Sequence, residues 1–359
     1  MSESVPHSRP GLGPEEAAAA QRVILSGQVA QGPEVAAFEG EVAALAGRRH
    51  AVATSSGTAA LHLALRALEV GPGDQVLVPS YVCASLAQAA AAVGARALPA
   101  DIDADTRNLD VAQVQGRLTD PCAAIIAPHM FGRPAPVAAL ADLGVPVIED
   151  CAMCLGTESN GRPVGSLGAV SVCSFYATKL LTSAGEGGMV LTDADDVAAA
   201  ARAYREYDNR STAVVRFNYK MTDVAAAVGR VQLRRLPELV RRRRELAARY
   251  DAVLRDTGLR LPAAGEGHVF HRYVAHAPGG AAALERALVQ AGIGARRPVH
   301  LPLHRDQGLS DELYSHTARA WHGDISLPLY PGLTDDEAGA VLDAAIDAAR
   351  QTCGARVNG

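Results

Sequence analysis

The stretch Ser174-Phe175-Tyr176-Ala177-Thr178-Lys179-Leu180-Leu181-Thr182-Ser183-Ala184-Gly185-Glu186-Gly187-Gly188-Met189-Val190 decides how the rest of the chain is read. One lysine lies between an aromatic-rich run and a glycine-rich turn that leads into a second apolar run. A strand, a tight loop and a second strand would hold Lys179 at a fixed point and leave its amine accessible. Upstream, Pro146-Val147-Ile148-Glu149-Asp150-Cys151-Ala152 reads as an apolar strand with a carboxylate at its C-terminal end. Further upstream, Thr54-Ser55-Ser56-Gly57-Thr58-Ala59-Ala60-Leu61 reads as a small-residue turn opening an apolar helix.

Taken singly, each piece has an ordinary reading: a solvated loop lysine, an aspartate capping a helix, an N-cap serine. Together in one α/β chain they place an amine, a carboxylate and a phosphate-sized helix N-terminus on one edge of a sheet. Those are the fixtures that pyridoxal 5′-phosphate (PLP) requires. Lys179 would form the Schiff base, Asp150 would hold the pyridinium proton, and the helix start at Ser56-Gly57-Thr58 would take the phosphate.

The composition allows such a reading. A chain of 359 residues buries a core readily and suggests one large domain with a smaller one. The hydrophobic fraction is 48% with few aromatics, which argues against disorder. Net charge is −5, and Arg241-Arg242-Arg243-Arg244 is the one basic cluster. It falls in a helical pattern and reads as a solvated face, so no nucleic-acid partner is expected. The apolar stretches fall short of a membrane span, and the N-terminus lacks the apolar core of a signal peptide. No membrane association is expected, and a cytoplasmic location is. The six cysteines form no disulfide framework. Cys151 and Cys154 read as small residues packed around a strand end.

Along the chain, residues 1–13 read as a mobile N-terminal arm, 14–240 as a large cofactor-binding domain and 241–359 as a small C-terminal domain. Apolar strands at 50–54, 75–79, 95–99, 123–128 and 147–148 alternate with helical segments. That rhythm predicts a mostly parallel sheet covered by helices on both faces. Ligands of such sheets sit beyond the strand C-termini, where Thr54, Pro79, Pro128 and Asp150 fall. One helix is expected to run from Thr222 or Asp223 to about Leu233, and another from Leu236 to about Thr257. The small domain should have its own strand at Val269 to Ala275 and helices at Ala281 to Ala291 and Asp335 to Ala349.

With these residues assembled, the chain resembles the DegT/StrS family of PLP-dependent sugar aminotransferases, which have the aspartate-aminotransferase type I fold. The resemblance spans roughly Gly32 to Asp336. It rests on Val52–Leu61, Val147–Asp150, Ser174–Lys179, Gly185–Met189, Asn218-Tyr219-Lys220-Met221-Thr222 and Leu327-Pro328-Leu329-Tyr330-Pro331-Gly332-Leu333. It implies that Lys179 is the Schiff-base lysine and proton shuttle and that Asp150 pairs with the ring nitrogen. Gly57, Thr58 and Ser174 would bind the phosphate beside Ser56, and Ala152 would lie against one ring face. Asn218 would reach the phosphate of a neighbouring subunit, which implies a homodimer with shared sites. The implied reaction moves an amino group from an amino acid, glutamate or glutamine, to a keto sugar by ping-pong chemistry. A nucleotide-linked sugar is expected as acceptor.

The chain departs from the family pattern at cofactor-lining positions. Cys83, in Pro79-Ser80-Tyr81-Val82-Cys83, stands where an aromatic residue usually stacks on the ring; Tyr81 is the other candidate for that role. Met153 replaces the Gln or His that usually contacts the cofactor's phenolic oxygen, and Leu180 stands where Asn is common. The alternatives are an aminotransferase acting on a keto-cyclitol or another ketone, and a non-catalytic relative that binds PLP or sugar. Sugar dehydration is disfavoured because dehydratase relatives carry His in place of the lysine. A nicotinamide dehydrogenase is disfavoured because no G-x-G-x-x-G follows the first strand.

Overall fold

The computed structural model describes residues 4–118 and 122–353. Its strands are β1 (His50–Thr54), β2 (Gln75–Pro79), β3 (Arg96–Ala100), β4 (Cys122–Pro128), β5 (Val147–Asp150), the short β6 (Glu158–Ser159) and β7 (Arg162–Pro163), β8 (Val170–Ser174), β9 (Gly188–Thr192), β10 (Tyr273–His276) and β11 (Asp324–Leu327). The helices are α1 (Pro14–Ser26), α2 (Pro33–Leu45), α3 (Gly57–Ala67), α4 (Ser85–Ala92), α5 (Val111–Gln115), α6 (Val137–Ala141), α7 (Asp195–Arg205), α8 (Asp223–Leu254), α9 (Ala281–Gln290), α10 (Leu303–Asp306), α11 (Ser315–Gly323) and α12 (Asp335–Cys353).

The central sheet has seven strands in the order β1-β9-β8-β5-β4-β2-β3. β9 runs antiparallel to both of its neighbours, and the other pairings are parallel. Thr54, Pro79, Pro128, Asp150 and Ser174 therefore all end on one edge of the sheet. Alternation along the strands divides the core. Val52, Val76, Val78, Ile126, Ile148, Val172 and Val190 share one cluster with α3 and α4. Ala51, Ala53, Met189 and Leu191 face α2 and α8 on the other side, and Leu77, Ile125, Ala127 and Val147 face α5 and α6. The expected sheet, mostly parallel and covered on both faces, is the observed one.

α8 differs from its sequence reading. The sequence predicts two helices, one ending near Leu233 and one starting at Leu236, yet one helix runs from Asp223 to Leu254 with Pro237 inside it. Proline removes one backbone hydrogen bond and crowds the preceding turn. Here Leu236, Leu239 and Val240 beside it are buried, and that burial carries the helix across. Side chains of α8 up to Val240 pack in the large core, and those from Leu246 to Leu254 pack in the small one. Thr222 caps this helix through the Ala225 amide at 3.2 Å. Asp223 caps a different one: its carboxylate accepts from Gly32, Glu34 and Val35 at the start of α2. The basic cluster is solvated only in part. Arg243 is buried and donates to the carbonyls of Phe270, His271 and Leu329.

The small region pairs β10 with β11 in antiparallel fashion and covers them with α9 and α12. Residues 4–13, expected as an arm, lie along it. Val5 pairs with Ile293, the amide of Gly294 donates to the Val5 carbonyl, and the Arg9 guanidinium lies 5.5 Å from the Tyr330 ring centre. The Gly11 carbonyl accepts from Gln232 and Arg235 of α8. Residues 1–3 lie outside the described residues. Among the described residues, no helix is long and apolar enough to cross a membrane.

Candidate active site

Asp150 ends β5 on the face of Ile148, and its carboxylate is buried. Its one protein hydrogen bond among the described residues comes from the Ala152 amide to Oδ1 at 2.9 Å. Burial pushes the Asp150 carboxyl above the usual range, against the pull of the Ala152 amide and of the nearby Lys179 charge. Lys179 lies in the connection from β8 to β9, with its amide bonded to the Tyr176 carbonyl. Ala177 bonds back to Gly185, and Phe175 to Gly187, so the loop closes on itself. Burial lowers the Lys179 amine, Asp150 and Cys83 raise it, and Arg272 adds to the lowering.

The turn after β1 meets the end of β8. Ser56 caps α3 by accepting from the Ala59 amide at 3.1 Å. The N–H groups of Gly57 and Thr58, at the first positions of the helix, have no intrahelical acceptor. Gly57 lies against Ser174 so closely that a β-carbon there would stand 2.7 Å from the Ser174 β-carbon. Gly188, at the start of β9, has the Ser56 carbonyl oxygen 2.3 Å from where its β-carbon would be. Glycine is required at both positions because backbone and strand end touch. The result is a cradle of free amides, the Ser174 hydroxyl and the exposed Thr58, of the kind that takes a phosphate.

Around this centre, Ala152 and Met153 are partly buried just beyond Asp150, and Met153 packs on the α3–α4 side of the core. Cys83 is exposed, its sulfur 3.0 Å from the Ser85 hydroxyl, and it is among the groups that act on the Lys179 amine. Tyr81 is fully buried, with its hydroxyl on the Ala320 carbonyl and its edge toward Phe131. Tyr81 is therefore not a ring cover. Asn218 is exposed. Its neighbours Phe217 and Tyr219 stack with ring centres 5.0 Å apart, and the Tyr219 carbonyl accepts from the Ser55 amide at 2.7 Å. That bond ties the Asn218 segment to the phosphate turn.

Some neighbours of the site carry no local sequence signal. His271 and Arg272 line a small pocket with Lys179, walled by Ser8 to Gly11. Arg272 also lines a larger cleft beyond it with Arg107, Arg133, Arg260 and Arg319. Arg107 and Asp324, paired bidentately at 2.8 Å, come from the loop after β3 and the start of β11. Only tertiary folding joins such positions.

The buried acid held ready for a cation, the lysine beside it and the glycine-walled phosphate cradle fit PLP. Fold and site together define a PLP-dependent transferase. Comparison with known proteins narrows this: the profile of the DegT/DnrJ/EryC1/StrS aminotransferase family matches residues 10–345. The aminotransferase TlmJ of Streptoalloteichus hindustanus is 33% identical, with a TM-score of 0.90 over 96% of this chain and 98% of that one. DesV of S. venezuelae is 32% identical, with a TM-score of 0.88 over 93% and 94% of the two chains. Spr1654 of Streptococcus pneumoniae, in its PMP form, is 25% identical, with a TM-score of 0.91 over 98% and 99%. The chain belongs to the DegT/DnrJ/EryC1/StrS aminotransferase family and is an aminotransferase that uses PLP.

Proposed function

We propose that this aminotransferase moves an amino group from an amino acid, glutamate or glutamine, to a keto sugar carried on a nucleotide. The observation that carries the reading is the buried Asp150 carboxylate, nearly without protein donors, beside Lys179 and the Gly57–Ser174 cradle. PLP, when bound, supplies an electron-withdrawing pyridinium that accommodates negative charge on the attached substrate carbon. The chain's own residues do the rest. Asp150 keeps the ring nitrogen protonated, and the cofactor's cation in turn offsets the cost of burying that carboxylate. Lys179 holds the cofactor; once displaced, its amine moves the proton to and from the substrate carbon, a task suited to a lysine whose basicity burial has lowered. Ser56, Gly57, Thr58 and Ser174 hold the phosphate, and Ala152 and Met153 line one side of the ring. Asn218, exposed beside the phosphate turn, reaches the corresponding turn of a second copy of the chain, so the working unit is a homodimer.

The nucleotide-linked acceptor is supported by the cleft that shares Arg272 with the Lys179 pocket. Arg133, Arg260 and Arg319 line it without a carboxylate partner among the described residues, a setting for a diphosphate. The experiment is a two-stage assay. Purified holoenzyme is converted with glutamate or glutamine and freed of donor, then offered keto-sugar nucleotides, free keto sugars and keto-cyclitols. Return of the original visible spectrum with the sugar nucleotides alone is expected. Return with cyclitols alone overturns the acceptor, and a spectrum that never responds to any amino acid overturns the reaction.

A further inference from the structure

The two arginines near Lys179, buried Arg243 and half-buried Arg272, are held in different ways. Arg243 is saturated by backbone: its Nη1 lies 3.1–3.4 Å from three carbonyls. Arg272 meets only a neutral ring. Its Nη1 lies 3.1 Å from Nδ1 and 3.2 Å from Nε2 of His7, and among the described residues no carboxylate pairs with it. Burial and the nearby Arg296 lower the Arg272 guanidinium to about 10, and burial holds the His7 imidazole at about 3. His7 is thus uncharged in the working range and supplies position without a counter-charge. It is fixed in turn by the hydroxyls of Ser8 and Ser326, each at 2.9 Å.

Arg272 is also the arginine shared by the pocket of Lys179 and the larger cleft. The other cleft arginines, Arg107, Arg133, Arg260 and Arg319, do not line the lysine pocket. An amino donor carries its carboxylate on the very carbon that exchanges a proton with the lysine. The diphosphate of a sugar nucleotide is separated from the reacting carbonyl by several bonds. The position next to the lysine therefore suits a carboxylate, and the outer arginines suit a diphosphate. A guanidinium fork matches a carboxylate in plane and spacing.

We propose that Arg272 receives the α-carboxylate of the amino donor and that His7, on the N-terminal strap, is the positioning residue that holds its guanidinium toward Lys179. The strap is well anchored for this. It is stitched to the small region by Val5 and Arg9 and to α8 by the Gly11 carbonyl. The inference rests on the aminotransferase reading above.

The test measures the donor half-reaction of holoenzyme with L-glutamate, or L-glutamine if that is the donor used, and with the corresponding α-amide, which lacks only the α-carboxylate charge. Arg272→Gln should raise the donor KM about 10- to 100-fold, the scale of a lost charge-assisted hydrogen bond. It should also abolish most of the preference for the acid over the amide, and leave bound PLP content unchanged. Arg272→Lys, which keeps charge without the fork, should fall between. His7→Ala should raise the donor KM by about 3- to 10-fold with little change in kcat, and His7→Gln should restore it. A wild-type preference retained in both Arg272 variants overturns the proposal. So does a raised KM for the sugar-nucleotide acceptor with an unchanged donor KM, which would assign Arg272 to phosphate. An unchanged donor KM in His7→Ala removes the positioning role. If wild-type enzyme reacts with no amino acid, the aminotransferase reading fails first and this proposal with it.

Discussion

Glu149 and Asp150 are consecutive buried carboxylates on one strand, and they have opposite surroundings. Glu149, on the face of Val147, accepts from the amides of Gly165 and Leu167 at 2.8 Å and Gly168 at 3.1 Å, from the Ser171 hydroxyl and from His129 Nε2 at 3.1 Å. His129 is set for this by accepting the Ala135 amide on Nδ1. Burial works to raise the Glu149 carboxyl, but His129 and the amides outweigh it and hold it at about 2. Asp150, one residue on and one face over, has the Ala152 amide alone, and burial prevails. The difference separates an acid that organises the fold from one held open for a ligand. It also explains why His129, Glu149 and Cys151, near enough to one another for a metal, serve as structure: the glutamate oxygens are already taken.

The largest effect expected is at the amine opposite Asp150. Lys179→Ala should abolish turnover, and borohydride treatment of wild type followed by peptide mapping should find the cofactor on Lys179; label on another lysine breaks the scheme. Asp150→Asn comes next, with an expected loss of about 10²–10⁴-fold in kcat, the range for a positioned acid–base group. The same variant without cofactor should unfold no more easily than wild type at neutral pH, because it removes an unpaired buried charge. Near-normal turnover would make Asp150 structural, like its neighbour.

Glu149→Gln should behave in reverse. It points an amide N–H group at donors and should cost about 3–5 kcal/mol of stability at neutral pH, the scale for breaking a buried charged network. The pH dependence carries a sign. Glu149 is depressed from 4.5 to about 2, so its contribution is full above about pH 4.5 and is lost as pH falls toward 2. Asp150 is raised above 3.8, so in cofactor-free protein its contribution is lost as pH rises through its folded value. Denaturant titrations of wild type and Glu149→Gln should therefore converge in acid. A gap that stays constant down to about pH 2.5 would show that the glutamate's charge is not what the amides hold. The smallest effect expected is at the mouth of the site. Cys83→Phe should tighten PLP about 2- to 12-fold through ring stacking, if the exposed cysteine faces the cofactor. An unchanged PLP dissociation constant would place the ring elsewhere.

Much of this was legible in the chain. The apolar runs ending in Thr54 and Asp150 predicted strands, and the alternation of strands with helices predicted two covered faces; the strand expected in the aromatic run from Ser174 lies earlier, at Val170–Ser174. The Ser56-Gly57-Thr58 turn showed its cap and its glycine, though not that Gly57 must lie bare against Ser174. The two helices expected to end near Leu233 and start at Leu236 are one, because burial of Leu236 and Val240 on either side of Pro237 carries the helix across. Arg243 looked like the rest of a basic run, since nothing local distinguishes a guanidinium that will find three carbonyls from one that will find water.

What the sequence by itself determined are the features set by nearest neighbours along the chain: strand and helix periods, the capping serine, the small residues of the turn, and the order of lysine and aspartate on one sheet edge. Tertiary structure alone decided which charges would be satisfied. Glu149 is quenched by a loop at 165–168, Tyr81 is buried with its hydroxyl on the Ala320 carbonyl, and Arg272 faces His7 across 265 residues of chain. Hydrogen-bond saturation depends on groups brought within about 3 Å, and in this fold those groups come from sixteen residues away at Glu149 to 265 away at Arg272. A pattern local in sequence does not encode them.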